Sequence, residues 1–155
     1  MALNIVLVEP EIPHNTGSIA RSCALTGTNL HLVKPLGFSV EDKYLKRAGL
    51  DYWHLVNINY YDSFEELVKK YPDNDFYFAT TKTDNSYTDF RYRDGSFFVF
   101  GKETKGLKND ILEKYSENTI TIPMIGSLKR SLNLSNSANI ILFEALRQLD
   151  FLGLR

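Results

Sequence analysis

The sequence predicts an α/β domain, a mostly parallel sheet flanked by helices, and three observations carry that prediction. Strand-like and helix-like segments alternate from end to end, the pattern of a parallel sheet covered on both faces. Asn4-Ile5-Val6-Leu7-Val8 is a short β-branched run that reads as a buried strand. Of 155 residues 43% are hydrophobic, about 67 side chains, enough for a real core, while 24% are charged, which is ordinary for a soluble protein. That length fits one domain over residues 1–155, with no internal repeat, low-complexity tract or linker.

Each element follows in order. After the first strand, Glu9-Pro10-Glu11-Ile12-Pro13 makes a proline-containing turn. A helix opens near Asn15, carries Ile19, Ala20, Cys23 and Ala24 on one face, and closes at Gly27. Asn29 to Val33 reads as a second strand. Ser39 and Asp42 stand at capping-box spacing before a short helix over 41–48, and Ser63 with Glu66 repeats that signal for a helix ending near Tyr71. Phe76 to Thr80 and Phe97 to Phe100 read as strands, Leu107 to Tyr115 as a short helix, and Thr119 to Ile122 as the last strand. In the final, longest helix Ala138, Ile141, Leu142, Ala145, Leu146 and Leu149 keep the 3-4 spacing of a core stripe. Ile140 and Phe143 fall outside it, which either a partner surface or deep burial would explain.

Composition excludes several classes. No apolar run approaches the length of about 18 residues needed for a membrane span, and the N-terminus has no signal-peptide pattern. A lone cysteine, Cys23, rules out an internal disulfide framework and fits a reducing cytosol. The formal net charge is −1, so a nucleic-acid partner must be held by a local patch. Charge is uneven: residues 59–94 carry five basic and eight acidic groups, residues 95–155 eight basic and six acidic. A further cluster, Lys43-Tyr44-Leu45-Lys46-Arg47, is either a solvated helix face or a binding surface.

In a parallel sheet, ligands sit beyond the carboxyl ends of the strands. The least ordinary loops fall there: Glu9–Asn15, Thr80–Lys82, Gly101–Gly106 and Pro123–Asn133. Gly101 and Gly106 have P-loop spacing, but Leu107-Lys108 stands where that motif demands Lys and then Ser or Thr, so nucleotide hydrolysis is excluded. No G-x-G-x-x-G follows a strand and no G-x-S-x-G elbow is present. His14, His31 and His54 are scattered without ligand spacing, so no metal site is expected, and His31 reads as a structural histidine inside a strand. What remains is a pair of glycine-flanked loops and a stretch rich in small polar residues, Ser131, Asn133, Ser135, Asn136, Ser137 and Asn139. One or two of these suffice to cap a helix, so the surplus leaves a ligand site open beside the cap.

The loops then match a family. Glu9-Pro10-Glu11-Ile12-Pro13-His14-Asn15-Thr16-Gly17 with Arg21, Phe100-Gly101-Lys102-Glu103-Thr104-Lys105-Gly106-Leu107, and Ile122-Pro123-Met124 with Arg130-Ser131-Leu132-Asn133-Leu134-Ser135-Asn136 resemble the three motifs of SPOUT-class RNA ribose methyltransferases. The resemblance runs nearly end to end and is nearest the TrmL (YibK-like) branch, which methylates the wobble-nucleotide 2′-hydroxyl in tRNA anticodon loops, on cytidine or modified uridine. It implies an α/β knot fold with a C-terminal trefoil knot, S-adenosyl-L-methionine as methyl donor, no metal, a homodimer and a cytoplasmic location. Carried over by position, Ala79, Gly101, Ile122, Ser131 and Leu132 are cofactor contacts. Asn15, Arg21, Glu103, Ser131 and Asn133 are the polar active-site residues. Two departures stand out: Lys102 replaces a common proline, and Phe143 stands where relatives often carry tyrosine.

The resemblance assigns Arg21 as the base. A guanidinium is permanently charged, so binding a phosphate or stabilising the developing alkoxide is the favoured role here. Asn15 reads either as an orienting group or as a helix N-cap, and Glu103 either as a ligand contact or as the partner of a neighbouring cation. With no added RNA-binding domain, Lys43, Lys46, Arg47, Lys129, Arg130 and Arg147 are the candidates for tRNA phosphate contacts, and Tyr44 for base stacking. Two rival readings are an rRNA ribose 2′-O-methyltransferase of the same fold and a non-catalytic RNA-binding module.

Overall fold

Among the residues described by the computed structural model, 2–39, 52–128 and 131–155, six strands form one sheet. They are β1 (Asn4–Val8), β2 (Asn29–Val33), β3 (Ile58–Tyr61), β4 (Phe76–Ala79), β5 (Phe97–Phe100) and β6 (Thr119–Ile120). The order is β3-β2-β1-β5-β4-β6 and every pairing is parallel. From β1 the chain steps outward through β2 to β3, then crosses to the other half. The order therefore reverses between β1 and β5, which opens a crevice beyond their carboxyl ends.

Four α-helices among the described residues, α1 (Pro13–Thr26), α2 (Phe64–Lys70), α3 (Asn109–Lys114) and α4 (Leu134–Gln148), complete the layers. The period-two alternation of the strands sorts the core into two halves. Ile5, Leu7, Leu30, Leu32, Phe98 and Phe100 face Ile19, Ala20 and Cys23 of α1 and the Ala138, Ile141, Leu142, Ala145 and Leu146 stripe of α4. Val6, Val8, Phe76, Phe78, Phe97 and Val99 face Phe64 and Leu67 of α2. Ile140 and Phe143, opposite the α4 stripe, are 37% and 45% exposed.

β1, β2 and β5 coincide with the runs read from sequence, while β4 ends at Ala79 and α3 covers only Asn109–Lys114. β3 was not anticipated, because Ile58-Asn59-Tyr60-Tyr61 is a half-exposed edge strand without a continuous apolar run. β6 is only two residues long, since Thr121 leaves it to bridge Ser86. α1 starts at Pro13 rather than near Asn15. Proline is suited to a first helical position, where an N–H would have no partner. Gly27 ends α1 in the left-handed conformation at φ 67°. The cap expected before α2 forms, with a shifted return bond: Ser63 Oγ accepts from Glu66 N at 3.2 Å, while Glu66 Oε2 accepts from the N–H of Asp62, one residue before the cap, at 2.9 Å. The helix expected over 41–48 lies outside the described residues.

Two buried groups are accounted for structurally. His31 is 1% exposed; Nδ1 lies 2.9 Å from the Tyr61 hydroxyl and Nε2 2.9 Å from Asn4 Oδ1. Burial, with a smaller contribution from Lys70, lowers its pKa to about 4. Cys23 is buried on the inner face of α1, and desolvation pushes its thiol up, away from the reactive thiolate.

Candidate active site

A cavity of about 410 Å3 opens at the carboxyl ends of β4, β5 and β6, within the range of roughly 300–1,000 Å3 of small-molecule sites. Its walls come from four loops: 79–82, 100–107, 120–124 and 131–134. Ile12 and Asn15 of the α1 entrance and Ser137 and Ile141 of α4 complete it. The apolar wall is made by Ala79, Leu107, Ile120, Ile122, Leu134 and Ile141; hydroxyls, amides, backbone and the charged residues Lys82, Lys102, Glu103 and Lys105 supply the polar part.

The 101–106 loop folds back on itself. A Cβ added at Gly101 would lie 2.1 Å from the Gly106 carbonyl carbon and 2.2 Å from Leu107 N, so only glycine permits this approach. Gly106 N donates to Lys102 O at 2.8 Å, and Gly106 takes φ 67° to close the turn.

A reciprocal clasp ties this loop to the start of α1. Glu103 Oε1 accepts from Glu11 N and Oε2 from Ile12 N, each at 2.9 Å. In return, Thr104 N and Oγ1 donate to Glu11 Oε1 at 3.0 and 2.8 Å, and these bonds hold the Glu11 carboxyl below its ordinary pKa. Asn15 Nδ2 donates to Glu103 Oε2 at 3.2 Å, and Asn133 Nδ2 donates to Asn15 Oδ1 at 3.0 Å. Asn133 Oδ1 in turn accepts from Ser135 N, Asn136 N and Ser135 Oγ, capping α4. One polar chain thus runs from the β5 loop through α1 to α4. Glu9, at φ 54°, adds ion pairs to Lys102 at 3.5 Å and Lys108 at 3.8 Å.

The residues anticipated from sequence divide clearly. Asn15, Ala79, Gly101, Glu103, Ile122, Ser131, Leu132 and Asn133 all line the cavity. For two of them the structure removes one of the two readings left open by the sequence. Asn15 is not the N-cap of α1: Ile12 is, and Asn15, inside the first turn and 3% exposed, spends its side chain on Glu103 and Asn133. Glu103 is satisfied by backbone amides and Asn15 rather than by a neighbouring cation. Arg21 does not line the cavity. It is exposed midway along α1, with its guanidinium carbon 5.0 Å from the centroid of the Tyr52 ring. Lys43, Tyr44, Lys46, Arg47, Lys129 and Arg130 lie outside the described residues. Arg147 stands in the last turn of α4, about 20 Å of helix away from the Asn133 cap, with Nε and Nη2 on the Glu144 carboxylate at 2.9 and 3.1 Å.

Sequence reasoning missed Thr80, Thr81, Lys82 and Met124 as cavity residues, although their loops had been singled out by position. Strand-end placement was the available signal.

Residues 2–143 match the sequence profile of the SpoU rRNA Methylase family. The chain belongs to that family. A relative named tRNA (cytidine(34)-2′-O)-methyltransferase, from Methylovorus glucosotrophus, is 48% identical over 151 residues, covering 97% of each chain. A solved structure described as giving structural insights into the 2-OH methylation of C/U34 on tRNA superposes with a TM-score of 0.91 at 39% identity, covering 96% of this chain and 97% of that one. The SpoU methyltransferase AviRb from Streptomyces viridochromogenes, solved in complex with the cofactor AdoMet, superposes at 0.80 with 27% identity, over 96% of this chain and 58% of AviRb. The matched residues include all four cavity loops and the α1 entrance.

Proposed function

We propose that this chain is an S-adenosylmethionine-dependent methyltransferase that modifies the ribose 2′-hydroxyl of the wobble nucleotide, cytidine or modified uridine, in tRNA anticodon loops. One observation carries the reading: 48% identity across 97% of both chains with a protein named for that reaction. The cavity fits such a donor. Its wall carries the Gly101 turn, where bare backbone replaces a side chain, beside the apolar surfaces of Ala79, Ile122 and Leu132. Those residues with Ser131 would hold the donor. When bound, S-adenosylmethionine supplies an electrophilic methyl group on its sulfonium.

The protein must hold the ribose oxygen in line with that methyl, stabilise charge as the proton leaves, and exclude water. Proximity alone contributes several kcal/mol to such reactions. The clasp of Glu103, Asn15 and Asn133 keeps three loops in register around the cavity. Arg21 remains a cation, so it stabilises the oxyanion at O2′ or grips a phosphate rather than accepting the proton. A pH–rate profile of Arg21→Lys tests this: retained rate with a lower apparent pKa would instead make residue 21 the base. Because Arg21 is exposed outside the cavity, the ribose sits between the cavity mouth and an Arg21 guanidinium, its own or one presented by a second protomer.

The same reading takes residues 1–155 as one catalytic domain, working as a homodimer in the cytoplasm. Exposed Ile140 and Phe143 on α4 support the homodimer. The reading includes a C-terminal trefoil knot, in keeping with the family; the end of α4 is held by the segment before β5. Tyr92 N donates to Gln148 Oε1 at 2.9 Å, and Gln148 Nε2 donates to Phe90 O at 3.0 Å. With Lys43, Lys46, Arg47, Lys129 and Arg130 as the phosphate contacts, tRNA affinity falls steeply with salt.

Incubation with methyl-labelled S-adenosylmethionine and separate pools of tRNA and rRNA, followed by mapping of the labelled nucleoside, tests the assignment. Label at ribose 34 of tRNA is expected. Label confined to rRNA would move the activity to the other substrate, and no label in either would leave a binding module.

A further inference from the structure

Arg21 is an exposed arginine, yet its guanidinium is not left to sweep through solvent: it sits 5.0 Å from the centroid of the Tyr52 ring. Tyr52 is itself well anchored. Leu55 N donates to Tyr52 O at 2.9 Å and Val56 N to Trp53 O at 3.3 Å, which folds residues 52–56 into a tight turn. Trp53 and Val56 of that turn pack against the core cluster that also contains Ile19, Ala20 and Cys23 of α1. The ring and the helix that carries Arg21 are therefore fixed to the same packed body.

The kind of contact matters. A carboxylate partner would neutralise the guanidinium and occupy its donors, as Glu144 does for Arg147. Among the described residues no carboxylate pairs with Arg21. An aromatic face attracts the cation through its quadrupole while leaving the charge and all five N–H donors free for an incoming oxyanion. That combination, orientation without neutralisation, is what a cation needs if it must meet a phosphate or a developing alkoxide.

We propose that Tyr52 is a positioning residue that holds the Arg21 guanidinium ready for the RNA substrate. The proposal rests on the methyltransferase reading above and adds to it a residue outside the cavity. Tyr52→Phe keeps the aromatic face and loses only the hydroxyl; Tyr52→Leu removes the face. Expected are a kcat within about twofold of wild type for Tyr52→Phe and a kcat about tenfold lower for Tyr52→Leu. The affinity for S-adenosylmethionine, read by calorimetry, stays within about twofold in both, because Tyr52 does not line the cavity. In an NMR spectrum, ring current should displace the Arg21 Nε–H resonance in wild type and Tyr52→Phe and not in Tyr52→Leu. If Tyr52→Leu fails to fold, Tyr52→Gln, which also lacks an aromatic face, takes its place in every arm.

The proposal is overturned if Tyr52→Phe loses as much as Tyr52→Leu, if Tyr52→Leu leaves kcat unchanged, if cofactor affinity falls in step with kcat, or if the wild-type Arg21 resonance shows no ring-current displacement. With an active wild type, any of these removes the role of Tyr52 and leaves the methyltransferase reading standing. A wild type that methylates no RNA removes both.

Discussion

Replacing Glu103 with alanine separates a structural role for this carboxylate from a chemical one. The side chain accepts from two backbone amides at 2.9 Å and from Asn15 Nδ2 at 3.2 Å. Hydrogen bonds to a charged group contribute about 1.5–3 kcal/mol each where water is kept away. The Ile12 amide is exposed, so water replaces that bond at little net cost, whereas the other two are partly buried. A loss of about 2–3 kcal/mol follows for Glu103→Ala. At roughly 2–4 °C per kcal/mol for a domain of this size, Tm should fall by about 5–10 °C. Glu103→Gln keeps one carbonyl acceptor and should lose about half as much. Urea unfolding followed by circular dichroism reads the stability, and calorimetric titration with S-adenosylmethionine reads the cavity. Because the clasp joins the 101–106 loop to α1, donor affinity should weaken at least tenfold alongside the stability. An alanine variant that unfolds within about 0.5 kcal/mol of wild type yet has lost turnover would refute this, and would place the carboxylate on the ligand instead.

Three other perturbations test neighbouring parts of the structure. Gly101→Ala forces a methyl to within 2.1 Å of backbone, so the turn must open; donor binding by calorimetry should drop below detection, with a stability loss of about 1–3 kcal/mol, and unchanged affinity would disprove the close approach. The unfolded chain takes up a proton at His31 before the folded one does. Stability should therefore be intact above about pH 6.5 and fall by up to roughly 3 kcal/mol as pH drops through 6.5 towards 4. His31→Gln should flatten that slope in urea titrations at each pH, whatever it does to absolute stability. Phe143→Asp charges the exposed face of α4 without touching its core stripe; if the proposed homodimer uses that face, light scattering should show a dimeric wild type and a monomeric variant with the circular dichroism spectrum retained, and a variant that stays dimeric would move the interface elsewhere.

Much of the fold was legible because its signals are local. Asn4–Val8, Asn29–Val33 and Phe97–Phe100 are buried runs whose side chains leave no other placement, and each forms a strand with those bounds. Gly27 and the Ser63–Glu66 pair mark helix ends through backbone needs that neighbouring residues meet. β3 escaped notice because edge strands are specified by the partner they pair with, here β2, and not by their own hydrophobicity. The cavity residues were reached through motif resemblance and strand-end position, and eight of them do line one hollow. Their individual duties were not legible. Along the chain Asn15 fits an orienting group and a cap equally well, and Glu103 a ligand contact and the partner of a lysine or arginine.

By itself the sequence determined the α/β class, the family and the four loops that meet at the strand ends, since periodicity, turn residues and ordered motifs are written along the chain. Only the tertiary structure decided that Glu103 clasps backbone amides some 91 and 92 positions away, that Asn133 reaches Asn15 across 118, and that Arg21 turns to Tyr52 instead of into the cavity. Hydrogen bonds and cation–π contacts act over a few ångströms, so which groups make them is set by how the helices and loops pack, and no spacing along the chain records it.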